Sequence, residues 1–315
     1  MIYKYKTLIT APPILPKIMN YKNIFEKNSA EIIIPPFNVV ESLNEDQLIS
    51  LLPDIDGILC GDDQITKKVL QSAKKLKVVS KWGTGIDSID KTNAEKLGIQ
   101  VLRVKDVFSE PVSDTVLAYI LLFSRNIIEK NNLVKSLKWE KTESYTLKEK
   151  SIGVIGLGHI GKVIAKKAYS LGMEVFGYDI VNKPYSKQFK SKINLVSFND
   201  LLKRSDFVTL HTDLNKTSYH MINKSTLKLM RPNSFIINTS RGEVINESDL
   251  EDALKNNQIY GAALDVFEVE PLPKNSELRK MKNVLLSPHN SNASPKVFNE
   301  VDKRSINNLF NGLGL

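Results

Sequence analysis

The segment Ser151-Ile-Gly-Val-Ile-Gly-Leu-Gly-His-Ile-Gly-Lys-Val-Ile-Ala165 decides the fold of this chain. It begins with an apolar run typical of a buried strand, continues through closely spaced glycines, and then places apolar residues at helical spacing. A second apolar run follows and ends in an acid, Val175-Phe-Gly-Tyr-Asp179. The succession of strand, glycine turn, helix, strand and acid predicts a dinucleotide-binding βαβ unit.

The glycines of this unit have different physical tasks. Gly156 permits the tight turn, Gly158 lets the backbone approach a pyrophosphate, and Gly161 lets the helix pack close to the strand. The first helical residues, His159 and Ile160, lie at the helix N-terminus, where N–H groups and the positive end of the helix dipole favour phosphate. We therefore expect these five residues to bind the cofactor.

The acid that ends the second strand selects between two cofactors. Asp179 lies 18 positions after Gly161. Its carboxylate can accept hydrogen bonds from a ribose diol and would repel a 2′-phosphate. The sequence therefore predicts NAD rather than NADP.

Length and composition exclude several other classes of protein. The 315 residues suffice for two domains. The formal charge is +9, but basic residues occur in scattered pairs such as Lys67-Lys68, without interleaved aromatic residues. This distribution indicates a solvated surface and no nucleic-acid partner.

No apolar run is long enough to cross a bilayer, and no signal-peptide core precedes Pro12-Pro13. The only cysteine, Cys60, ends an apolar run, so we expect a buried thiol and a cytoplasmic, reducing location without membrane association.

The first hundred residues alternate short apolar runs with helical stretches, which predicts a doubly wound domain with a parallel sheet. The predicted strands are Thr7–Ile9, Glu31–Ile34, Ile55–Cys60, Val78–Ser80 and Ile99–Val104. One predicted helix begins after Asn44, with Gln47 completing a capping box, and two others span Thr66–Leu76 and Asp90–Leu97.

One loop of this section is a candidate binding element. Lys81-Trp-Gly-Thr-Gly-Ile-Asp-Ser-Ile-Asp90 follows a predicted strand, at the edge where open α/β sheets bind ligands. Two glycines around Thr84 allow consecutive N–H groups to point at an anion such as a carboxylate. A plain turn between strand and helix explains the same residues equally well.

The remaining segments predict a second α/β section. Val112–Lys130 is predicted as one long helix, residues 131–150 as a polar surface arm, and residues 182–194 as a polar loop. The further predicted strands are Phe207–Leu210, Phe235–Asn238, Tyr260–Leu264 and Val284–Leu286. The further predicted helices are Asn199–Arg204, Lys224–Leu229, Glu247–Lys255 and a closing helix from Pro295.

Three charged or titratable residues each follow a predicted strand of this second section, namely Arg241, Glu270 and His289. Strand ends of a parallel sheet share one edge, so we expect the three side chains to converge beside the cofactor. His289 can exchange protons near neutrality, and a neighbouring carboxylate would favour its imidazolium form. Arg241 offers a planar fork of donors suited to a carboxylate. This set predicts hydride transfer between nicotinamide and a 2-hydroxy acid or its 2-keto partner.

The other histidines carry weaker signals. His159 belongs to the phosphate turn and is expected to face the cofactor. His211 ends a strand on the cofactor edge, where packing or capping would explain it equally well, and His220 is interpreted as a surface residue. Without a cysteine partner or paired histidines at helical spacing, no metal site is predicted.

Together these motifs resemble the D-isomer-specific 2-hydroxyacid dehydrogenase family, and within it the chain is most similar to short D-3-phosphoglycerate dehydrogenases. The resemblance covers nearly the whole chain. Besides the cofactor glycines, its carriers are residues 82–90, Asn238-Thr-Ser-Arg-Gly242, Ala263-Leu-Asp-Val-Phe267 through Glu270-Pro271, and Pro288-His289.

The resemblance implies a role for each motif. It implies that Arg241 binds substrate, that His289 is the acid/base and that Glu270 is its partner. It further implies that Thr84 and Gly85 bind the substrate carboxylate. The residues implied to contact the cofactor are Asp265, on the nicotinamide carboxamide, and Thr115, Thr239, His211 and Thr212, in the cleft.

The resemblance also implies an architecture of two doubly wound parallel-sheet domains. A Rossmann NAD-binding domain, residues 111–289, would be inserted into a flavodoxin-like substrate-binding domain formed by residues 1–110 and completed by residues 290–315. Homodimers that form through the nucleotide domain are usual in this family.

Several positions depart from the family pattern and leave the substrate open. Position 213 is aspartate where proline is common, and Asp62 and Asp63 stand near the place of an arginine that many phosphoglycerate enzymes carry. The expected substrate is a small 2-hydroxy acid, with 3-phosphoglycerate as one candidate. The alternatives are a glyoxylate or hydroxypyruvate reductase and, from a different class, a NAD-sensing protein similar to co-repressors.

Overall fold

The computed structural model describes residues 3–181 and 185–315, and the chain divides into two compact units. The first unit comprises Met1–Val107 together with Ser294–Leu315, and the second comprises Phe108–Ala293. The second unit is therefore a continuous segment inserted into the first. These limits lie a few residues from the predicted divisions after residues 110 and 289.

The first unit contains a five-stranded sheet in which every recorded strand pair is parallel. Its strands, in spatial order, are Ala30–Ile33, Tyr5–Ile9, Gly57–Cys60, Val78–Lys81 and Gln100–Arg103. In chain order this is 2-1-3-4-5, the arrangement of flavodoxin-like doubly wound folds. The strands Gly57–Cys60 and Val78–Lys81 are buried along their whole length, as expected for strands covered on both faces.

Helices of the first unit begin largely where the sequence provides caps. They are Lys22–Lys27, Glu45–Leu51, Lys67–Ser72, Lys91–Lys96 and Pro295–Leu313. The predicted capping box is present, since Asn44 and Gln47 each accept the other's backbone N–H, at 3.0 and 3.1 Å. The closing helix joins this sheet, where the hydroxyl of Ser80 donates to the carbonyl oxygen of Ser305 at 2.7 Å.

The second unit contains a seven-stranded sheet whose recorded pairs are also parallel. Its strands, in spatial order, are Val284–Leu286, Gly261–Leu264, Phe235–Asn238, Phe207–Leu210, Ser151–Ile155, Glu174–Tyr178 and Asn194–Leu195. The strand order reverses direction between Ser151–Ile155 and Phe207–Leu210. Open α/β sheets bind ligands at such a switch point. The predicted fold class is confirmed for both units.

Helices of the second unit depart from prediction in two places. They are Ser109–Ser124, Ile127–Lys135, His159–Ser170, Lys187–Lys190, Phe198–Arg204, Lys224–Leu227 and Glu247–Lys255. The single helix predicted over Val112–Lys130 is wrong, because Asn126 adopts a left-handed conformation (φ 50°) that ends the first helix and starts the next. The loop predicted over residues 182–194 contains the helical turn Lys187–Lys190 and the first residue of the strand Asn194–Leu195. Its residues 182–184 lie outside the described residues.

None of the helices in the described ranges combines the length and the apolar character that crossing a membrane requires.

Candidate active site

The glycine turn leaves space at the start of a helix in the second unit. Gly156 has φ +89°, a conformation that favours glycine. A Cβ added at Gly161 would lie 1.9 Å from the carbonyl oxygen of Gly156, whereas a Cβ at Gly158 would meet no atom within 4 Å. Gly158 caps the helix that begins with His159 and Ile160, so open space adjoins N–H groups that lack intrahelical partners. The His159 side chain is exposed and the Ile160 side chain packs on the core.

Asp179 is held beside this turn. Its Oδ2 accepts the backbone N–H of Leu157 at 3.0 Å, and its Oδ1 accepts the N–H of Val181 at 2.9 Å. The first contact joins the acid at the end of one strand to the turn that follows the neighbouring strand. The carboxylate therefore lies at the same sheet edge as the glycines.

Polar groups from two further strand ends lie at this edge. His211 follows Phe207–Leu210, and its Nε2 lies 2.7 Å from the hydroxyl of Thr209. Burial lowers the pKa of His211 to about 3, so its imidazole is neutral near pH 7 and unsuited to general acid catalysis. Within residues 3–181 and 185–315, the buried hydroxyl oxygens of Thr212 and Thr239 have no hydrogen-bond partner.

Buried hydroxyls without partners are costly unless a ligand satisfies them. They accompany an open helix N-terminus and a carboxylate placed for a ribose diol. This donor and acceptor set fits a dinucleotide cofactor, with phosphates at the glycine turn and ribose at Asp179.

Glu270 and His289 form the predicted pair. Nδ1 of His289 lies 2.8 Å from Oε2 of Glu270, and both side chains are partly buried, with 22% and 19% of their area exposed. The other oxygen, Oε1, accepts the backbone N–H of Phe267 at 2.9 Å. An ionised carboxylate can only accept hydrogen bonds, so Nδ1 carries the proton and Nε2 is the atom that exchanges protons.

Asp265 shapes the segment that carries His289. The backbone N–H of His289 donates to the carbonyl oxygen of Asp265 at 2.8 Å. The N–H groups of Asn290 and Ser291 donate to its Oδ1 and Oδ2, each at 2.9 Å. Asp265 is fully buried, and these contacts hold His289 in a left-handed conformation with φ 48°. Such conformations persist at functional sites when surrounding contacts determine them.

Arg241 lies in a loop that Asn238 organises. Oδ1 of Asn238 accepts the N–H and the hydroxyl of Ser240, at 3.0 and 2.8 Å, and its Nδ2 donates to the carbonyl oxygen of Arg241 at 2.8 Å. The next residue, Gly242, packs so closely that an added Cβ would lie 1.9 Å from the carbonyl carbon of Phe267. The Arg241 loop therefore contacts the segment that carries Glu270.

In the first unit, the predicted binding loop is held by side chains from its own unit. The hydroxyl of Thr84 donates to the carbonyl oxygen of Val104 at 2.8 Å, and Arg103 donates to the carbonyl oxygen of Thr84 at 2.9 Å. The indole Nε1 of Trp82 donates to Oδ1 of the buried Asp302 at 2.8 Å. Asp302 belongs to the closing helix Pro295–Leu313, so a residue 220 positions from Trp82 also fixes this loop.

The two acids noted in the sequence have partners in the first unit. Asp63 is fully buried and accepts hydrogen bonds from the Thr10 hydroxyl (2.6 Å) and from the N–H groups of Leu43 (2.7 Å) and Gly61 (3.0 Å). Burial raises the pKa of the Asp63 carboxyl. Asp62 forms an ion pair with the nearly buried Lys81, at 3.1 Å. The segment after the strand Gly57–Cys60 therefore carries two partnered acids and no arginine.

Thr115, the remaining predicted site residue, and His220 also lie in the second unit. Thr115 donates its hydroxyl to the carbonyl oxygen of Ser291 at 3.1 Å, within the His289 segment. The interpretation of His220 as a plain surface residue is wrong, since its Nε2 lies 2.7 Å from Oε1 of Glu268 and only 26% of its side chain is exposed. Glu268 stands 48 positions from His220, and no local pattern in the sequence pairs the two.

Sequence comparison places residues 117–291 in the family described as D-isomer specific 2-hydroxyacid dehydrogenase, NAD binding domain. The chain is 40% identical to a glyoxylate reductase of Thermococcus litoralis, over 78% of this chain and 77% of the relative. It is 36% identical to a D-3-phosphoglycerate dehydrogenase of Methanocaldococcus jannaschii, over 80% of this chain but 48% of that longer relative.

The fold of a solved relative agrees with this result. The crystal structure of D-lactate dehydrogenase from Aquifex aeolicus, complexed with NAD and lactic acid, matches with a TM-score of 0.85 at 25% identity. The match covers 96% of this chain and 93% of that one.

Proposed function

The chain belongs to the D-isomer specific 2-hydroxyacid dehydrogenase family and is an NAD-dependent oxidoreductase; on this basis we propose that it reduces a small 2-keto acid, with His289 as the acid/base. The observation that carries the proposal is the 2.8 Å contact between His289 and Glu270, at the sheet edge that also holds Arg241. In the opposite direction the same residues would oxidise the 2-hydroxy acid.

His289 supplies the proton. A nicotinamide cofactor held by the glycine turn and Asp179 would supply the hydride for reduction and accept it in the reverse direction. During reduction the imidazolium of His289 donates the proton at Nε2 to the carbonyl oxygen, and during oxidation the neutral ring accepts it from the hydroxyl. Glu270 favours the imidazolium and fixes the ring orientation through Nδ1.

Arg241 orients the substrate. Its guanidinium provides parallel donors for a carboxylate and for the adjacent carbonyl oxygen. Asn238 and the close approach of Gly242 to Phe267 support the loop that presents it. We propose in addition that the N–H groups of Thr84 and Gly85 bind the substrate carboxylate, that Thr115, Thr212 and Thr239 contact the cofactor, and that Asp265, besides holding the His289 segment, accepts from the nicotinamide carboxamide.

The substrate we propose is glyoxylate or hydroxypyruvate rather than the 3-phosphorylated acid. Asp63 is buried among its own hydrogen-bond donors, and Lys81 is paired with Asp62. Lys81 is therefore already paired and does not supply a cation for a substrate phosphate, whereas an aldehyde or hydroxymethyl group requires none. The similarity to a glyoxylate reductase over more than three quarters of both chains supports the same choice.

We also propose a homodimer. Residues 127–145 of the second unit carry exposed apolar side chains, among them Leu137 (97% exposed), Trp139 (86%) and Val134 (55%). Exposed apolar patches of this kind mark association surfaces. Light scattering should give twice the 35.5 kDa chain mass, and Leu137→Asp together with Trp139→Asp should give the monomer. A wild-type monomer at micromolar concentration would exclude the dimer.

Cysteine usage supports a reducing, cytoplasmic compartment, because the single Cys60 is buried as a free thiol whose pKa burial raises.

The test of function is a panel of 2-keto acids read by NADH absorbance, with the 2-hydroxy acids and NAD in the reverse direction. We expect kcat/KM to be highest for glyoxylate or hydroxypyruvate and at least tenfold lower for 3-phosphohydroxypyruvate. The reverse ranking would overturn the substrate proposal. A chain that binds NADH but converts no member of the panel would favour the NAD-sensing alternative.

A further inference from the structure

A second histidine–glutamate pair joins the segment that carries Glu270 to a distant histidine. Glu268 stands two positions before Glu270, and its Oε1 lies 2.7 Å from Nε2 of His220. We propose that His220 is a positioning residue that, through Glu268, sets the placement of the Glu270–His289 pair relative to the Arg241 loop. The inference rests on the proposed function, since it assigns His220 a task in the same reaction.

Glu268 is held by more than one contact. The backbone N–H of Glu247 also donates to Oε1 of Glu268, and the N–H of Glu268 donates to Oε2 of Glu247, both at 3.3 Å. Glu247 is the first residue of the helix Glu247–Lys255, where the positive end of the helix dipole favours an acid. Burial raises the pKa of Glu247, and the Glu268 charge adds to that effect. Because a carboxylate can only accept hydrogen bonds, Nε2 of His220 donates to Glu268 in their contact.

His220 is joined through its backbone to the Arg241 loop. The N–H of His220 donates to the carbonyl oxygen of Glu243 at 2.8 Å, and the side-chain amide of Asn223 donates to the carbonyl oxygen of His220 at 2.8 Å. Its backbone adopts φ 47°, a left-handed conformation, and the ring of Tyr219 stacks on its imidazole with centroids 4.0 Å apart. These contacts fix the imidazole and direct Nε2 to Glu268.

The segment that contains Glu268 contacts both the Arg241 loop and the Glu270–His289 pair. Gly242, the residue after Arg241, packs directly against the peptide group of Phe267. A Cβ added at Gly242 would lie only 1.9 Å from the carbonyl carbon of Phe267. The N–H of Phe267 donates to Glu270 at 2.9 Å, and Glu270 contacts His289. A shift of Glu268 must therefore move the Glu270 carboxylate against both the imidazole and the guanidinium loop.

The chain allows a matched set of variants. His220→Asn tolerates the left-handed backbone, but its amide ends one bond short of the position of Nε2 and cannot reach Glu268. His220→Gln places an amide donor near the position of Nε2. Arg231→Ala removes a half-buried ion pair of the same unit, in which Arg231 lies 3.5 Å from Asp206. Asp206 stands just before the strand Phe207–Leu210, so this pair lies at the sheet edge opposite the site. It serves as the control for lost stability alone.

We expect His220→Asn to lower kcat by about 10- to 100-fold, because small displacements of catalytic groups have effects of this size. Affinity for NADH should stay within about twofold, since the glycine turn is untouched. His220→Gln should recover most of kcat, and Arg231→Ala should leave kcat within about twofold of wild type. Unchanged kcat in His220→Asn, with a lowered melting temperature, would show a purely structural role and overturn the proposal.

An imidazole nitrogen spectrum separates this inference from the proposed function. The chain has four histidines, so the Nδ1 resonance of His289 can be assigned with a His289→Gln variant. We expect that resonance to shift in His220→Asn and to match wild type in His220→Gln and Arg231→Ala. The same resonance shifts are expected even if the protein turns over none of the acids tested. In that case the proposed reaction is refuted and the positioning role of His220 is not. An unshifted His289 resonance in His220→Asn would remove the positioning role.

Discussion

His289 and Glu270 stand 19 positions apart in the chain and meet at 2.8 Å between Nδ1 and Oε2. The left-handed backbone of His289 and the three N–H groups bound by Asp265 hold the segment that presents the imidazole to Glu270. The imidazole is therefore oriented before any substrate binds, and preorganisation of this kind lowers the cost of reaching the transition state.

Loss of the imidazole should abolish most turnover without loss of cofactor binding. His289→Ala removes the proton donor, so we expect kcat to fall by about 10²- to 10⁴-fold. Fluorescence titration with NADH should give a dissociation constant near that of wild type, because the glycine turn and Asp179 are unchanged. Near-normal rates in this variant would exclude His289 as the acid/base.

Loss of the Glu270 charge should change the pH dependence of reduction. Reduction requires the protonated imidazole, so its rate falls as rising pH removes that proton. A carboxylate stabilises the imidazolium more than a neutral amide does, so in Glu270→Gln the fall should occur about one pH unit lower. The measurement is kcat for keto-acid reduction between pH 5 and pH 9. A profile that coincides with wild type would show that Glu270 does not act on the imidazole.

Two glycines of the cofactor turn should respond differently to the same substitution. Gly158→Ala adds a methyl group to open space, so the melting temperature should be unchanged while NADH binds at least tenfold more weakly, because the methyl group occupies the phosphate approach. Gly161→Ala would place its Cβ 1.9 Å from the Gly156 carbonyl oxygen, so it should unfold at lower temperature. Equal stabilities of the two variants would contradict this assignment.

Asp179 should set the preference for NAD over NADP. Its carboxylate is fixed by the N–H groups of Leu157 and Val181, so a 2′-phosphate at this edge meets a negative charge that cannot turn away. Asp179→Ala should weaken NAD binding and reduce the ratio of kcat/KM for NAD to that for NADP by at least tenfold. An unchanged ratio would assign the discrimination to another group.

His211 should make the protein less stable in acid. Its pKa is lowered to about 3 in the folded chain, so below its ordinary value of about 6.5 the unfolded chain binds the extra proton. This contribution is complete above pH 6.5, and stability falls as pH decreases toward 3, by at most about 1.4 kcal/mol per pH unit.

His211→Gln keeps a hydrogen-bonding group for the Thr209 hydroxyl but does not titrate. Urea unfolding of both proteins at pH 7 and pH 4.5 separates this effect from that of the carboxylates, which both proteins share. We expect wild type to lose more stability than the variant between the two pH values. Equal losses would show that His211 is charged in the folded state.

Local sequence patterns predicted the elements of the fold. The strands Phe207–Leu210, Phe235–Asn238 and Val284–Leu286 and the helix Glu247–Lys255 have their predicted limits, because apolar runs and capping residues act over a few neighbouring positions. The helix expected over residues 112–130 failed at Asn126. Nothing in its apolar spacing revealed that the Asn126 side chain donates to the distant carbonyl oxygen of Glu143.

The sequence by itself determined that two parallel sheets form and that Arg241, Glu270 and His289 follow strands. It also determined that a glycine turn follows the first strand of the second sheet and that an acid follows the next strand. These properties depend on residue type and short-range spacing. Tertiary structure alone decided the partners of His220, the burial of Asp63 and the role of Asp265 in holding the His289 backbone. The physical reason is that hydrogen bonds between segments far apart in the chain depend on packing distances, which no local pattern encodes.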